Sequence, residues 1–355
     1  MKKTVQTAIM GVTGYAGAEL ARLLLAHPRL QAKPPVLAGR VEGKDLERGG
    51  IPLTQIHPQL ADNGGASALK MEPFSWELLA ARQVDVLFLA TPHEQSRAWV
   101  PEALERGMRV IDLSGAWRLV DPAHRAVYAF EDEGTEQAAA MQAQAVYGMP
   151  ELHRAQIATA KLVANPGCYA TSVILALKPL VAAGLVDLGS GIVADAKSGV
   201  SGAGKAPTAK THFMYAADNL SAYGVFTHRH TGELLEQIGL TGDEIVFTPH
   251  LLPIPRGILS TIYVRFKTAQ TRESVARVYS DFFAGSPMVR LYLKSLPQIQ
   301  YAVHTNYADI GFELDAGGKR AVVVSCLDNL LKGAAGQAVQ NLNLIEGWPE
   351  SEGLR

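Results

Sequence analysis

Cys168 sits in the run Asn165-Pro166-Gly167-Cys168-Tyr169-Ala170-Thr171. The Pro-Gly pair interrupts an apolar segment, residues 161–164, and a helix-like apolar run, residues 173–177, follows. This pattern predicts a cysteine at a strand-to-helix junction, close to a helix N-terminus. There the helix dipole and unpaired backbone N–H groups favour the thiolate, which is the nucleophilic form. A buried structural cysteine is the competing reading. A second cluster, Thr227-His228-Arg229-His230, flanks an arginine with two histidines. Either histidine can serve a thiol as proton donor or acceptor. A His-x-His pair also suits a metal, but no further ligand set, Cys-x-x-Cys pair or acidic loop accompanies it. No metal site is expected.

Two glycine-rich runs suit phosphate or cofactor binding. Gly11, Gly14 and Gly17 follow a strand-like segment and precede a helical one. Glycines there permit a tight turn and let a pyrophosphate approach the helix N-terminus. Their spacing departs from G-x-G-x-x-G, and a ligand-free βα turn is the alternative. The second strand ends in Ala38-Gly39-Arg40, where NAD binders often carry an acid. Arg40 suits a 2′-phosphate and hence NADP; a solvated surface arginine is equally consistent. The second run, residues 197–205, is rich in backbone N–H groups and can line a nicotinamide or phosphate, or be a flexible turn. Arg118, in Asp112-Leu113-Ser114-Gly115-Ala116-Trp117-Arg118, and Arg256, in Pro255-Arg256-Gly257, are candidate binders of an anionic substrate group. A surface ion pair is the alternative for each.

The elements that must carry these residues are legible in outline. Residues 5–10, 36–38, 84–90 and 109–113 read as apolar strands, with helices over 18–26 and 94–106, the latter with Pro101 as a break or new first turn. Alternating strands and helices predict a doubly wound parallel sheet. After Cys168, longer and partly alternating segments at 191–196, 244–248, 260–266 and 318–325 predict an α+β domain on a mixed or antiparallel sheet, with a helix over 271–283. Residues 329–345 read as a last helix packed by an apolar stripe. The run 64–67 and the stretch 131–144 read as mobile surface.

At 355 residues the chain suits two domains, and 33 Lys+Arg against 34 Asp+Glu offer neither a basic stripe for nucleic acid nor an acidic tract. The first residues lack a signal-peptide pattern, and no apolar stretch reaches membrane-spanning length. Two cysteines, Cys168 and Cys326, without an export signal fit a reducing cytoplasm. Cys326 reads as core.

Several runs together resemble one family. They are residues 11–20, 113–118, 147–151, 165–171, 197–204, 228–230, 247–250, 256–259 and 328–337, in order along nearly the whole chain. The chain resembles the N-acetyl-γ-glutamyl-phosphate reductases, among the aspartate-semialdehyde dehydrogenase-like enzymes. The resemblance implies a Rossmann-like NADP-binding domain over 1–167, a catalytic and dimerisation domain over 168–326, and a C-terminal helix, 327–355, returning to the first. It implies Cys168 as nucleophile and His228 as acid/base. It also implies Gly11, Thr13, Gly14, Tyr15 and Gly17 at the NADP pyrophosphate, and Ser198, Gly199 and Asn329 on the nicotinamide side. Arg118 is implied at the substrate phosphate. The expected partner is a small acyl phosphate, and the expected assembly a homodimer or homotetramer. Sister reductases acting on aspartyl phosphate or a carrier-linked aminoadipyl phosphate are the competing activities. A non-catalytic NADP-binding sensor is the competitor from another class.

Overall fold

The computed structural model describes residues 4–62 and 65–355. The first three residues of the chain and Gly64 of the glycine-rich run lie outside the described residues. The chain divides into two compact units. One comprises Met1–Arg118, Phe130–Asn165 and Ala334–Arg355; the other comprises Leu119–Ala129 and Pro166–Gly333. The crossings thus lie just before Cys168 and at 333/334 instead of 327. A short excursion, 119–129, goes with the second unit although no composition change marks it.

The first unit is built on eight strands: β1 Thr7–Met10, β2 Val36–Gly39, β3 Ile51–Pro52, β4 Lys70–Pro73, β5 Val86–Leu89, β6 Arg109–Asp112, β7 Ala145–Tyr147 and β8 Leu162–Ala164. Their spatial order is β3-β4-β2-β1-β5-β6-β8-β7. All pairings are parallel except β3 with β4. β1 and β5 are buried throughout, which explains why β5 is wholly apolar and β1 is apolar after Thr7. The chain order reverses around β1, and a crevice outside the carboxyl ends of strands at such a point is where open α/β sheets take ligands. The glycine run follows β1.

Three local expectations change. Helix His93–Glu105 continues through Pro101. Its buried face, including Val100, Pro101 and Ala103, outweighs one lost backbone hydrogen bond. Most of the stretch expected to be mobile is helix Glu136–Gln144, whose first turn is capped by the Thr135 side chain accepting from Ala138 N–H. The last helix runs over Gly336–Ile345 and is preceded by a π-helical turn, Leu331–Ala335. Its polar residues are buried too: the Asn341 amide donates to Gly148 O at 2.9 Å and to Asn165 Oδ1 at 3.1 Å.

The second unit holds a mixed sheet: β9 Ile192–Gly199, β10 Ser221–Ala222, β11 Ile245–Leu252, β12 Ile258–Arg265, β13 Val289–Tyr292, β14 Ala308–Leu314 and β15 Arg320–Leu327. The order is β10-β11-β9-β12-β15-β14-β13, with β9–β11 and β13–β14 parallel. Helix Cys168–Ala182 packs on one face of this sheet, against β12 and β15. It is apolar nearly all round, as a helix buried on several sides must be. The other face carries a row across four strands, Val246–Val193–Tyr263–Val322, in lateral register. Val246, Val193 and Tyr263 are 37%, 42% and 47% exposed, so this row is an apolar stripe facing outward.

Behind the helix, Tyr279 stacks on Phe312 and donates its hydroxyl to Ala176 O at 2.7 Å. Both rings are fully buried. Phe312→Ala is expected to cost about 3–5 kcal/mol of unfolding free energy in urea titration, through the cavity it leaves. A loss under about 1 kcal/mol would contradict this packing.

Candidate active site

In the first unit, Gly11 has φ +86°, and a Cβ there would lie 2.3 Å from Ala90 O. A Cβ at Gly17 would lie 2.2 Å from Gly11 O. Both positions therefore exclude any side chain. Gly14 is the N-cap of helix Tyr15–Ala26 and supplies no side-chain cap, so backbone N–H groups of the first turn remain for a ligand. Thr13 and Tyr15 are exposed beside them. This bare helix end fits a pyrophosphate. Arg40 lies one residue past β2, exposed and paired with Glu42. Arg118 is buried, with Nε donating to Asn165 O at 2.7 Å and Nη2 to Leu113 O at 2.8 Å. It lies near Asp112, whose carboxyl is pushed above the usual range by complete burial, against the opposing pull of Ser114, Ser96 and Arg118.

In the second unit, Cys168 is the first residue of its helix, and Gly167, in extended conformation, is the N-cap without a side-chain cap. The Gly167 N–H donates to Glu233 Oε2 at 2.9 Å. A Cβ at Gly167 would fall 2.4 Å from His230 Nε2 and 2.7 Å from Glu233 Oε1. On another side, a Cβ at Gly333, in the π-helical turn, would fall 2.7 Å from Cys168 Cβ. Cys168 is thus held between two backbone segments that tolerate no side chain. Glu233 is fully buried, and its Oε1 lies 4.0 Å from His230 Nε2. Neither Glu233 nor Gly333 is singled out by the sequence. An acid in a helix's first turn usually signals only dipole compensation.

Cys168 and His228 line one cavity of about 450 Å³, together with Tyr169, Ser198, Lys210, Tyr223, Arg229 and His230. The His228 ring lies 5.6 Å from Tyr169, 5.5 Å from Tyr223, 5.5 Å from Phe247 and 4.7 Å from His230, all edge-on. Its Nδ1 accepts the His230 backbone N–H at 3.1 Å. In that arrangement the neutral ring carries its proton on Nε2, ready to donate to an oxyanion. Burial, and then the charge of Arg229, hold the imidazole pKa down to about 4. Burial also raises the Tyr169 and Tyr223 hydroxyls, which therefore stay protonated. Tyr169 donates to His250 O at 2.6 Å.

Ser198 is buried at the end of β9, its Oγ donating to Gly199 O. Asn329 ties two loops together: its Oδ1 accepts Gly257 N–H at 2.8 Å, and its Nδ2 donates to Ser201 Oγ at 2.9 Å. A Cβ on Gly202 would meet Ser198 Oγ at 2.9 Å and Asn329 Nδ2 at 3.7 Å, so these residues form one cluster. Arg256 differs from its expectation as an anion binder. Its guanidinium is held by the fully buried Asp328 at 3.0 Å, which makes it a structural tie. Cys326 is buried in β15, its thiol pushed up to about 12 by burial and by Asp309.

Comparison with known proteins adds to this geometry. Residues 6–160 match the family described as "Semialdehyde dehydrogenase, NAD binding domain", and residues 168–329 match "Semialdehyde dehydrogenase, dimerisation domain". A Dehalococcoides mccartyi protein called N-acetyl-gamma-glutamyl-phosphate reductase is 42% identical over 358 residues, spanning 99% of this chain and 98% of that one. A Methanocaldococcus jannaschii protein of the same name is 40% identical over 354 residues, spanning 98% and 97%. Among solved structures, aspartate semialdehyde dehydrogenase II of Vibrio cholerae, complexed with ASA, superposes with TM-score 0.68 at 20% identity, covering 97% of this chain and 98% of that chain. The Candida albicans enzyme with NADP gives 0.66 at 15% identity, covering 97% and 99%. At such identities the two structures speak for the fold.

The His228 environment sets a pH test. Its folded pKa lies below the ordinary 6.5, so the unfolded chain binds this proton first as pH falls. His228 therefore lowers stability progressively between about pH 6.5 and about pH 4, and is neutral above that window. The His228 imidazole signals in NMR are expected to show no midpoint between about pH 5 and 8. A midpoint near 6.5 would contradict the buried ring.

Proposed function

The chain belongs to the N-acetyl-γ-glutamyl-phosphate reductase family of semialdehyde dehydrogenases, and from that premise we propose that it reduces N-acetyl-γ-glutamyl phosphate to N-acetylglutamate 5-semialdehyde and phosphate, a step of arginine biosynthesis. The observation that carries this reading is the single cavity lined by Cys168 and His228, with Cys168 at a helix N-terminus. A thiol so placed suits an acyl-transfer step, and a neutral imidazole N–H beside it suits an oxyanion.

In the biosynthetic direction, the Cys168 thiolate attacks the acyl-phosphate carbonyl, and phosphate leaves with the electrons of the broken C–O bond. The enzyme is left as a thioester at Cys168. NADPH, when bound, supplies the hydride that reduces it. Backbone N–H groups of the Cys168 turn and His228 Nε2–H hold the oxyanion of the thiohemiacetal, each such donor being worth about 3 kcal/mol. Collapse expels the thiolate and releases the aldehyde. The assigned cofactor contacts are Gly11, Thr13, Gly14, Tyr15 and Gly17 at the pyrophosphate, Arg40 at the 2′-phosphate, and Ser198, Gly199 and Asn329 on the nicotinamide side. Arg118 is assigned to the substrate phosphate.

The cavity wall favours an N-acylated substrate. Its charged residues are Lys210 and Arg229, and no Asp or Glu lines it among the described residues. The free ammonium of aspartyl phosphate would lose its hydration there without a counter-charge. The proposed assembly is a homodimer or homotetramer through the apolar row Val246–Val193–Tyr263–Val322, a use consistent with the dimerisation-domain match. The proposed setting is the cytoplasm. Among the described residues, no helix is long and apolar enough to cross a membrane.

The test is phosphate-dependent reduction of NADP by the purified protein, with N-acetylglutamate semialdehyde and, separately, aspartate semialdehyde. Turnover is expected with the acetylated aldehyde alone, and Cys168→Ser is expected to lose it by at least about a thousandfold. Turnover with aspartate semialdehyde alone would keep the mechanism and overturn the substrate. Undiminished turnover in the variant would overturn the mechanism.

A further inference from the structure

The proposed substrate is anionic at both ends. One end is the acyl phosphate that reacts at Cys168, and the other is an α-carboxylate remote from it. The cavity wall carries two cationic side chains, Lys210 and Arg229. Both residues are exposed, and neither is held in an ion pair or side-chain hydrogen bond among the described residues. Two unneutralised cations beside a nucleophile, with no acid on the wall, make a receptacle for an anion.

Their positions distinguish their roles. Arg229 follows His228 directly, and its charge lowers the His228 pKa, so it acts on the reacting centre. Lys210 stands one ring further out. Its ammonium lies 5.9 Å from the centroid of Tyr223, whose ring lies 5.5 Å from His228. The wall thus runs from His228 through Tyr223 to Lys210. Lys210 is also presented by an ordered turn. Thr208 Oγ1 accepts Thr211 N–H at 3.3 Å, and Thr211 Oγ1 accepts Thr208 N–H at 2.9 Å, closing a capping box around it.

We infer that Lys210 binds the α-carboxylate of the acyl substrate, and that its positive charge, with no acid on the wall to offset it, disfavours a free α-ammonium beside that carboxylate. The ammonium over the Tyr223 ring meets the end of the substrate that does not react, while the reacting carbonyl lies between Cys168 and His228. Lys210 is then a specificity-determining residue, and its loss weakens binding more than it slows chemistry. This assignment rests on the reductase reading above.

The experiment measures KM separately for N-acetylglutamate semialdehyde, phosphate and NADP, in wild type, Lys210→Met and Lys210→Arg. Lys210→Met keeps the length and the apolar stem, and thermal melting checks its fold. The expected result is a rise of roughly ten- to a hundredfold in KM for the aldehyde, the scale of one lost charge-assisted hydrogen bond. The expected kcat stays within about threefold, and KM for phosphate and NADP does not move. Lys210→Arg is expected to recover most of the affinity. A rise in KM for phosphate alone would put the ammonium on the transferred group and overturn the assignment. Unmoved constants in Lys210→Met, with normal wild-type turnover, would overturn it alone. Absence of wild-type turnover with this aldehyde would overturn the reductase reading and the assignment together.

Discussion

The hydrogen bond from Gly167 N–H to the buried Glu233 carboxylate is the constraint on which the site depends. A fully buried carboxylate is costly unless its oxygens are engaged. Here one oxygen takes the backbone N–H of the residue that caps the Cys168 helix, and the other faces His230 at 4.0 Å. The contact fixes the direction in which the chain enters the helix, and hence where the Cys168 side chain emerges. It also demands glycine at 167, because a methyl group would collide with both His230 and Glu233. Gly333 imposes the same demand from another side. In the proposed mechanism this steric enclosure fixes the reacting sulfur, and a reacting atom displaced by about 1 Å can lose a large part of its rate.

The same cavity separates two kinds of polarity. Around His228, four rings remove water and keep the imidazole neutral, so it offers a hydrogen bond without a charge. Elsewhere on the wall stand two exposed basic side chains, Lys210 and Arg229. In the proposed reaction an anionic substrate gains from the cations, while the reacting carbonyl meets a desolvated donor whose effect is larger for the absence of water. In the first unit, the glycine loop after β1 obeys a simpler rule. Close backbone packing at Gly11 and Gly17 removes side chains from a helix N-terminus, and the uncapped N–H groups there are the proposed anion site.

Much of this organisation is legible in the order of the residues alone. A continuous apolar run identifies the buried strand β5, and apolar pairs or triplets identify β6 and β1, because parallel strands covered on both faces leave little polar alternation. Pro166-Gly167 ahead of an apolar helix locates Cys168 at a junction. Other features leave no local signal. Pro101 reads as a break, yet packing of the surrounding helix face overrides it. Glu233 looks like any acid of a helix's first turn, and only the fold brings it under Gly167, 66 residues away. Arg256 looks like an anion binder, yet the fold sets Asp328, distant in sequence, against it. Lys210 resembles a solvated lysine in a polar run. Its position over Tyr223 arises from a turn of the chain that composition does not encode.

The central claim is a covalent acyl intermediate at Cys168, and it can be observed directly. The protein is incubated with N-acetylglutamate semialdehyde and NADP without phosphate, digested, and mapped by mass spectrometry. Without phosphate to cleave it, the oxidised adduct should persist as an N-acetylglutamyl thioester on the peptide containing Cys168, with one NADP reduced per site. Adding phosphate should remove it. Steady turnover with Cys168 never acylated, or acylation of Cys326 instead, would contradict the account.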